Sequence, residues 1–154
     1  VTDKAIELHK QHPNKRLIIH YLQPHQPYIG EFGKEKFTPQ ENLKTTAQQS
    51  NITREDIIKG YKENLLLALN EVNRLLGNIP GKTVITADHG EFLGERVLGI
   101  PLYGHFEGYY RKELVEVPWC IIEGDRREIE ESVPETDEID GSIDEDLKAL
   151  GYKI

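Results

Sequence analysis

The stretch from Thr53 to Leu76 constrains the fold most, because its pattern is that of one long amphipathic helix. Thr53 and Asp56 have the spacing of a capping box, and Glu55 adds a second acid where the helix dipole favours one. Gly77 and then Pro80 end the pattern. The apolar stripe consists of Ile57, Tyr61, Leu65, Leu69, Val72 and Leu76. We therefore predict a helix over 53–76.

Apolar runs on either side of this helix predict strands. "KRLIIHYL", Lys15 to Leu22, is continuously apolar, as is typical of a strand buried on both faces of a parallel sheet. "KTVITAD", residues 82–88, follows the helix, and strand, helix, strand predicts a βαβ unit. "VEVPWCIIE", residues 115–123, is a third strand. The predicted fold class is α/β, a mostly parallel sheet with flanking helices.

The remaining segments predict shorter elements and loops. Residues 2–11 predict a short helix, and "DEDLKALGYKI" at 144–154 predicts a second one at the other end. The polar segment 33–51 lacks periodicity, and residues 94–114 predict a loop. His20 and Cys120 lie inside apolar runs, so both are predicted to belong to the core.

Length and charge limit the class of protein. At 154 residues the chain predicts a single domain over 1–154, and its apolar runs fall short of the roughly 20 residues of a membrane span. The net charge of −8 argues against nucleic-acid binding. No signal peptide is visible, which favours the cytoplasm. From Glu123 to Asp146 the chain has twelve acids and two arginines, which predicts a solvated face or a mobile segment.

Polar side chains follow the predicted strands where a functional site of an α/β protein is expected. His25 follows the first strand, Asp88 and His89 follow the second, and His105 precedes the third. Three such loops on one edge of a sheet can converge. A carboxylate next to an imidazole suits zinc, manganese or a similar divalent ion. The alternative for Asp88 and His89 is an ordinary capped turn, in which Asp and Gly are also common.

The two isolated histidines allow two interpretations each. His25 lies between Pro24 and Pro27, which stiffen its loop, so the imidazole can donate to an anion or protonate a leaving oxygen. His105 lies between aromatic residues in "YGHFEG". For both, the alternative is a surface histidine without a catalytic role.

Four segments together resemble the sulfatase branch of the alkaline phosphatase superfamily. "TVITADHGEFLGE" is similar to the C-terminal metal motif of that branch, and "LIIHYLQPHQPYIG" to its strand with Pro-His-x-Pro. "YRKELVEVPWCIIEG" and "DEDLKALGY" resemble its later strand and its C-terminal ending. The matches occur in the family's order from Leu17 to Tyr152.

The resemblance implies a metal-dependent hydrolase of sulfate or phosphate esters on a small molecule or glycan. Asp88 and His89 would bind the metal, which is calcium or manganese in one-ion members or zinc in two-ion members. His25 would contact the ester and help the leaving group. His105 would be a further active-site histidine, either a ligand in a two-metal version or a substrate contact.

One departure from the family pattern changes the expectation. The Cys/Ser-x-Pro-x-Arg motif that supplies the sulfatase nucleophile does not occur in this sequence. We therefore expect the chain to be the C-terminal part of a larger sulfatase-like catalytic domain, with little or no turnover by itself. The alternative is a sulfatase-like module without catalysis, used for binding or assembly.

Overall fold

The computed structural model describes residues 1–38 and 42–130. Five helices and four strands occur in this part of the chain. The helices are α1 (Thr2–Gln11), α2 (Glu31–Lys36), α3 (Leu43–Ala47), α4 (Arg54–Leu76) and α5 (Lys112–Val115). The strands are β1 (Thr83–Thr86), β2 (Phe92–Val97), β3 (Ile100–Gly104) and β4 (Trp119–Ile122).

The long helix is confirmed, together with both of its ends. The Thr53 side chain accepts from the Asp56 backbone N–H, and the Asp56 carboxylate accepts from the Thr53 N–H, which completes the capping box. Gly77 is the C-cap. Ile57 is buried near the start of α4, whereas Leu65 and Leu69 remain exposed. Val72 and Leu76 are half-buried, so the stripe is covered at its two ends and open in the middle.

The prediction of a mostly parallel sheet is wrong. Among the described residues the strands form two separate two-stranded sheets, β1 with β4 and β2 with β3, and both pairs are antiparallel. In the first sheet Thr83 lies opposite Ile122 and Thr86 lies opposite Trp119. Apolar runs reveal that a segment is extended, but they carry no information about which segment supplies its hydrogen-bonding partner.

Residues 15–22, predicted as the first strand, form no strand, so the βαβ unit is also absent from the described structure. Leu17, Ile19 and Tyr21 are half-buried, and the residues between them are exposed. His20 is half exposed and Cys120 is exposed, so the prediction that both belong to the core is wrong. Neither apolar run is therefore buried on both faces.

The core lies between α2, α3 and the N-terminal half of α4. Its buried members are Tyr28, Phe37, Leu43, Ile52 and Ile57, and Leu93 and Tyr103 of the β2–β3 hairpin pack against them. Arg54 fixes this hairpin to α4, since its Nε donates to the Leu93 carbonyl at 2.9 Å and its Nη2 to Glu95 at 3.1 Å. The segment predicted as a loop thus contains a hairpin anchored at the start of α4.

The N-terminal helix α1 is confirmed, and it packs on α4. His9 of α1 is buried, with its Nδ1 3.2 Å from Nη1 of Arg127. Arg127 also donates to the Pro13 carbonyl, and the Glu130 N–H donates to the Asn14 carbonyl. Residues 127–130 therefore lie along the end of α1.

Stability should fall at acidic pH because of His9. Burial first, and then the Arg127 charge, lowers the pKa of His9 below its value in the unfolded chain. The unfolded chain therefore takes up the proton first as pH falls below about 6.5, which favours unfolding by at most ~1.4 kcal/mol per pH unit. Urea unfolding between pH 7.5 and 5 should show a smaller pH dependence in His9→Gln. An identical dependence in the variant would contradict this.

Within residues 1–38 and 42–130, none of the helices combines the length and the apolar composition that crossing a bilayer requires. The predicted terminal helix at 144–154 lies outside the described residues. Of the acidic segment 123–146, only residues 123–130 are described.

Candidate functional site

The His25 loop is held by one buried side chain of α4. Asn64 is fully buried, and its Nδ2 lies 3.0–3.3 Å from the carbonyl oxygens of Pro24, His25 and Pro27. Its Oδ1 accepts from the Ile29 N–H at 2.8 Å. The backbone on both sides of His25 is therefore tied to the middle of the long helix.

The turn after β1 is held by α5. The Gly90 N–H donates to the Leu114 carbonyl at 2.8 Å, and an added Cβ at Gly90 would overlap the Glu113 carbonyl. Inside the turn, Asp88 Oδ1 accepts from the His89 N–H at 2.9 Å. Gly90 therefore lets the backbone between His89 and Glu91 lie directly against α5.

His105 follows β3, so the β2–β3 hairpin positions it. The register of the hairpin places Phe92 opposite Gly104, which brings the residue before β2 and the residue after β3 to the same end. Glu91 and His105 therefore face each other, and Glu91 Oε1 lies 3.8 Å from His105 Nδ1.

The three predicted loops converge around Glu91. His25 Nε2 lies 3.7 Å from the same Glu91 oxygen, and the His25 and His105 ring centres are 5.7 Å apart. The His89 ring centre is 4.3 Å from that of His105. One ligand atom from each of His25, Glu91 and His105 lies within 4.8 Å of the other two.

A second carboxylate next to this cluster is also flanked by two imidazoles. Asp88 Oδ2 lies 3.9 Å from His89 Nε2 and 4.0 Å from His20 Nε2. The structure therefore brings His25, Asp88, His89 and His105 onto one surface, as the sequence analysis expected of the three loops. It also adds His20 and Glu91, to which the sequence analysis assigned no role at the site.

Backbone carbonyls fix the tautomers of two histidines. His25 Nδ1 lies 2.7 Å from the Gln26 carbonyl, and His89 Nδ1 lies 2.8 Å from the Gly90 carbonyl. A carbonyl oxygen only accepts, so each Nδ1 carries the hydrogen, and each neutral ring keeps its lone pair on Nε2. In both residues Nε2 is the nitrogen on the carboxylate side. This arrangement is common in metal-binding histidines, where a backbone carbonyl orients the ring.

Glu91 is the buried group of the cluster, with 7% of its side chain exposed. Burial raises the pKa of this carboxyl, and the charges of His25 and His89 oppose that shift. Burial also lowers the pKa of His105, and the charges of His89 and His25 add to the decrease. The cluster thus holds a proton less firmly on His105 and more firmly on Glu91 than water would.

A signal for Glu91 exists in the sequence. Glu91 in "DHGEF" is an acid two residues after His89, so the turn that carries Asp88 and His89 brings a further possible ligand close to them. The tyrosines beneath the site also respond to Glu91. Burial raises the pKa of Tyr28 and Tyr61, and the Glu91 charge raises both further.

Comparison of this chain with protein-family models, with characterised proteins and with solved structures gives no match.

Proposed function

We propose that this chain supplies the metal- and ester-binding part of a divalent-metal-dependent hydrolase of sulfate or phosphate esters. Asp88 and His89 bind the ion, and His25 and His105 contact the ester. The observation that supports this most is the convergence of three loops that are far apart in the sequence. They bring three imidazoles and two carboxylates to one surface.

The donor groups at Asp88 and His89 fit a divalent ion. Asp88 is half exposed, and the Nε2 lone pair of His89 lies on the same side as Asp88 Oδ2, 3.9 Å away. A carboxylate oxygen and an imidazole nitrogen are ligands that manganese and zinc accept. When bound, such an ion neutralises negative charge on the ester oxygens.

The other groups suit an anionic ester and its leaving oxygen. His25 and His105 lie on either side of the Glu91 carboxylate, at 3.7 and 3.8 Å. An imidazole in such a position can donate a hydrogen bond to an ester oxygen or pass a proton to a leaving oxygen. We assign no nucleophile to the described residues, so the proposal concerns binding and proton transfer.

Asp88→Ala should weaken Mn²⁺ binding at least tenfold, because the remaining imidazole is a single ligand. Isothermal titration of the chain with MnCl₂ measures this directly. Asp125→Ala, which removes another exposed acid, is the matched control and should retain the wild-type affinity. Unchanged Mn²⁺ affinity in Asp88→Ala would refute the assignment.

The ester part of the proposal is tested with inorganic phosphate and sulfate. The Mn²⁺-loaded chain should bind one of these anions, and the same titration without Mn²⁺ should show weaker binding. His25→Ala should lose the anion while it keeps Mn²⁺. If neither anion binds the loaded chain, the ester proposal is wrong even where the metal assignment holds.

A second candidate position for the ion lies between His25, Glu91 and His105. Their N···O separations of 3.7 and 3.8 Å exceed hydrogen-bond length. Two ligands of a tetrahedral zinc ion at about 2.1 Å lie about 3.4 Å apart, so these separations are close to those around an ion. Glu91→Gln distinguishes the positions, since it should abolish binding only if the ion sits in this triad.

A further inference from the structure

Asn64 stands out among the side chains of α4, because it is fully buried and polar. Its neighbours in space are backbone groups of one loop. Its amide directs two N–H hydrogens at three carbonyl oxygens, those of Pro24, His25 and Pro27, and its oxygen accepts from the Ile29 N–H. Every one of these bonds ends within residues 24–29.

These four contacts add to the other interactions of the loop, in which the His25 N–H donates to the Leu22 carbonyl and Gln26 Nε2 donates to Thr46 Oγ1. Pro24 and Pro27 have no N–H, so neither can donate to a backbone partner. Without Asn64, the carbonyls of Pro24, His25 and Pro27 would need another donor. The His25 carbonyl is one of the three, so Asn64 holds the residue itself as well as its neighbours.

The contacts of Asn64 also determine which way the His25 ring points. The His25 ring is oriented by the hydrogen bond that its Nδ1 donates to the Gln26 carbonyl, at 2.7 Å. Gln26 lies between His25 and Pro27, whose carbonyls accept from Asn64. If that stretch of backbone rotates, the Gln26 carbonyl leaves Nδ1. The lone pair on Nε2 would then no longer face Glu91.

We infer that Asn64 is a positioning residue for His25, which fixes the tautomer and direction of that imidazole through the backbone of residues 24–29. The neighbouring Glu63 holds a different segment, because its carboxylate accepts from the N–H groups of Phe32 and Gly33 at the start of α2. The role of Asn64 in ester binding rests on the proposed function. Its role in fixing the tautomer of His25 does not.

The test is nitrogen NMR of the histidine rings in the full 154-residue chain. Long-range ¹H–¹⁵N spectra should show His25 and His89 of the wild type with the hydrogen on Nδ1. Asn64→Asp has nearly the same shape, keeps the acceptor for Ile29 and loses both N–H donors. It should lose the Nδ1–H signature of His25 and retain that of His89. Asn70→Asp, an exposed site on the same helix, is the matched control and should change neither.

A second readout connects the residue to ligand binding. Asn64→Asp should weaken Mn²⁺-dependent phosphate binding at least tenfold while Mn²⁺ affinity stays at the wild-type value. If the wild type binds neither phosphate nor sulfate, the ester part of the proposed function fails, and the ring spectra still decide the role of Asn64.

Two results would overturn the inference. The first is an unchanged His25 signature in folded Asn64→Asp. Should circular dichroism show that this variant is unfolded, Asn64→Ser, which is neutral and keeps one O–H donor, replaces it. The second result that would overturn the inference is an unchanged His25 signature in folded Asn64→Ser. Loss of the His25 signature in that variant supports the inference.

Discussion

Gly90→Ala should destabilise the fold by about 3 kcal/mol and weaken metal binding at least tenfold. The added methyl would overlap the Glu113 carbonyl, and that contact is with backbone, which cannot move aside as a flexible side chain does. The turn must therefore separate from α5 and break the bond from the Gly90 N–H to the Leu114 carbonyl. His89 and Glu91 flank Gly90, so both would leave their positions.

Gly77→Ala is the matched control for this substitution. Gly77 caps α4 with right-handed backbone angles, and an added Cβ there meets its nearest neighbour at an ordinary 3.6 Å. It should be neutral or slightly stabilising, since alanine restricts the unfolded chain. Urea unfolding and Mn²⁺ titration measure both effects. Wild-type values for Gly90→Ala in both assays would show that the turn does not depend on its contact with α5.

The long helix could be predicted from the sequence because its determinants are local. The capping box joins Thr53 and Asp56, three residues apart, and Gly77 terminates the pattern directly. Such signals need no information about the rest of the molecule. The exposure of Leu65 and Leu69 shows the limit, because periodicity identifies a stripe and does not show how much of it another element covers.

The pairing of the strands depends on contacts between distant segments, and here the prediction failed. Residues 83–86 and 119–122 are extended as expected, but they pair with each other in antiparallel register. The β2–β3 hairpin, whose strands are connected by Leu98 and Gly99, was not predicted. Gly94 in β2 and Pro101 in β3 weaken the alternating pattern from which a strand is recognised.

The convergence of the site was expected for a different structural reason. Loops at the carboxyl ends of parallel strands can converge, but the described structure has no parallel strands. Instead, α4 holds two of the three loops, since Asn64 fixes residues 24–29 and Arg54 fixes the hairpin that carries His105. The turn with Asp88 and His89 depends on α5. The side chains meet because two helices, α4 and α5, hold the three loops.

Phe92→Ala should cost about 3–5 kcal/mol of unfolding free energy. Phe92 is the largest fully buried side chain among the described residues, with no exposed surface, and its ring centre lies 6.4 Å from that of Phe106. Alanine would leave a cavity at the end of the hairpin where the chain cannot close without moving β2 or β3. Tyr110→Ala, which removes an aromatic ring that is 86% exposed, is the control and should stay within about 0.5 kcal/mol of the wild type.

The position of Phe92 links this loss of stability to the site. It directly follows Glu91 and lies opposite Gly104, the residue before His105. The buried ring therefore holds both partners of the Glu91–His105 contact. Phe92→Leu keeps most of the apolar volume, so it should recover much of the stability that alanine loses. Its histidine spectra should also retain the wild-type environment of His105. If Phe92→Ala loses less than about 1 kcal/mol, the hairpin is not held by this ring, and Glu91 must owe its burial to the tyrosines beneath it.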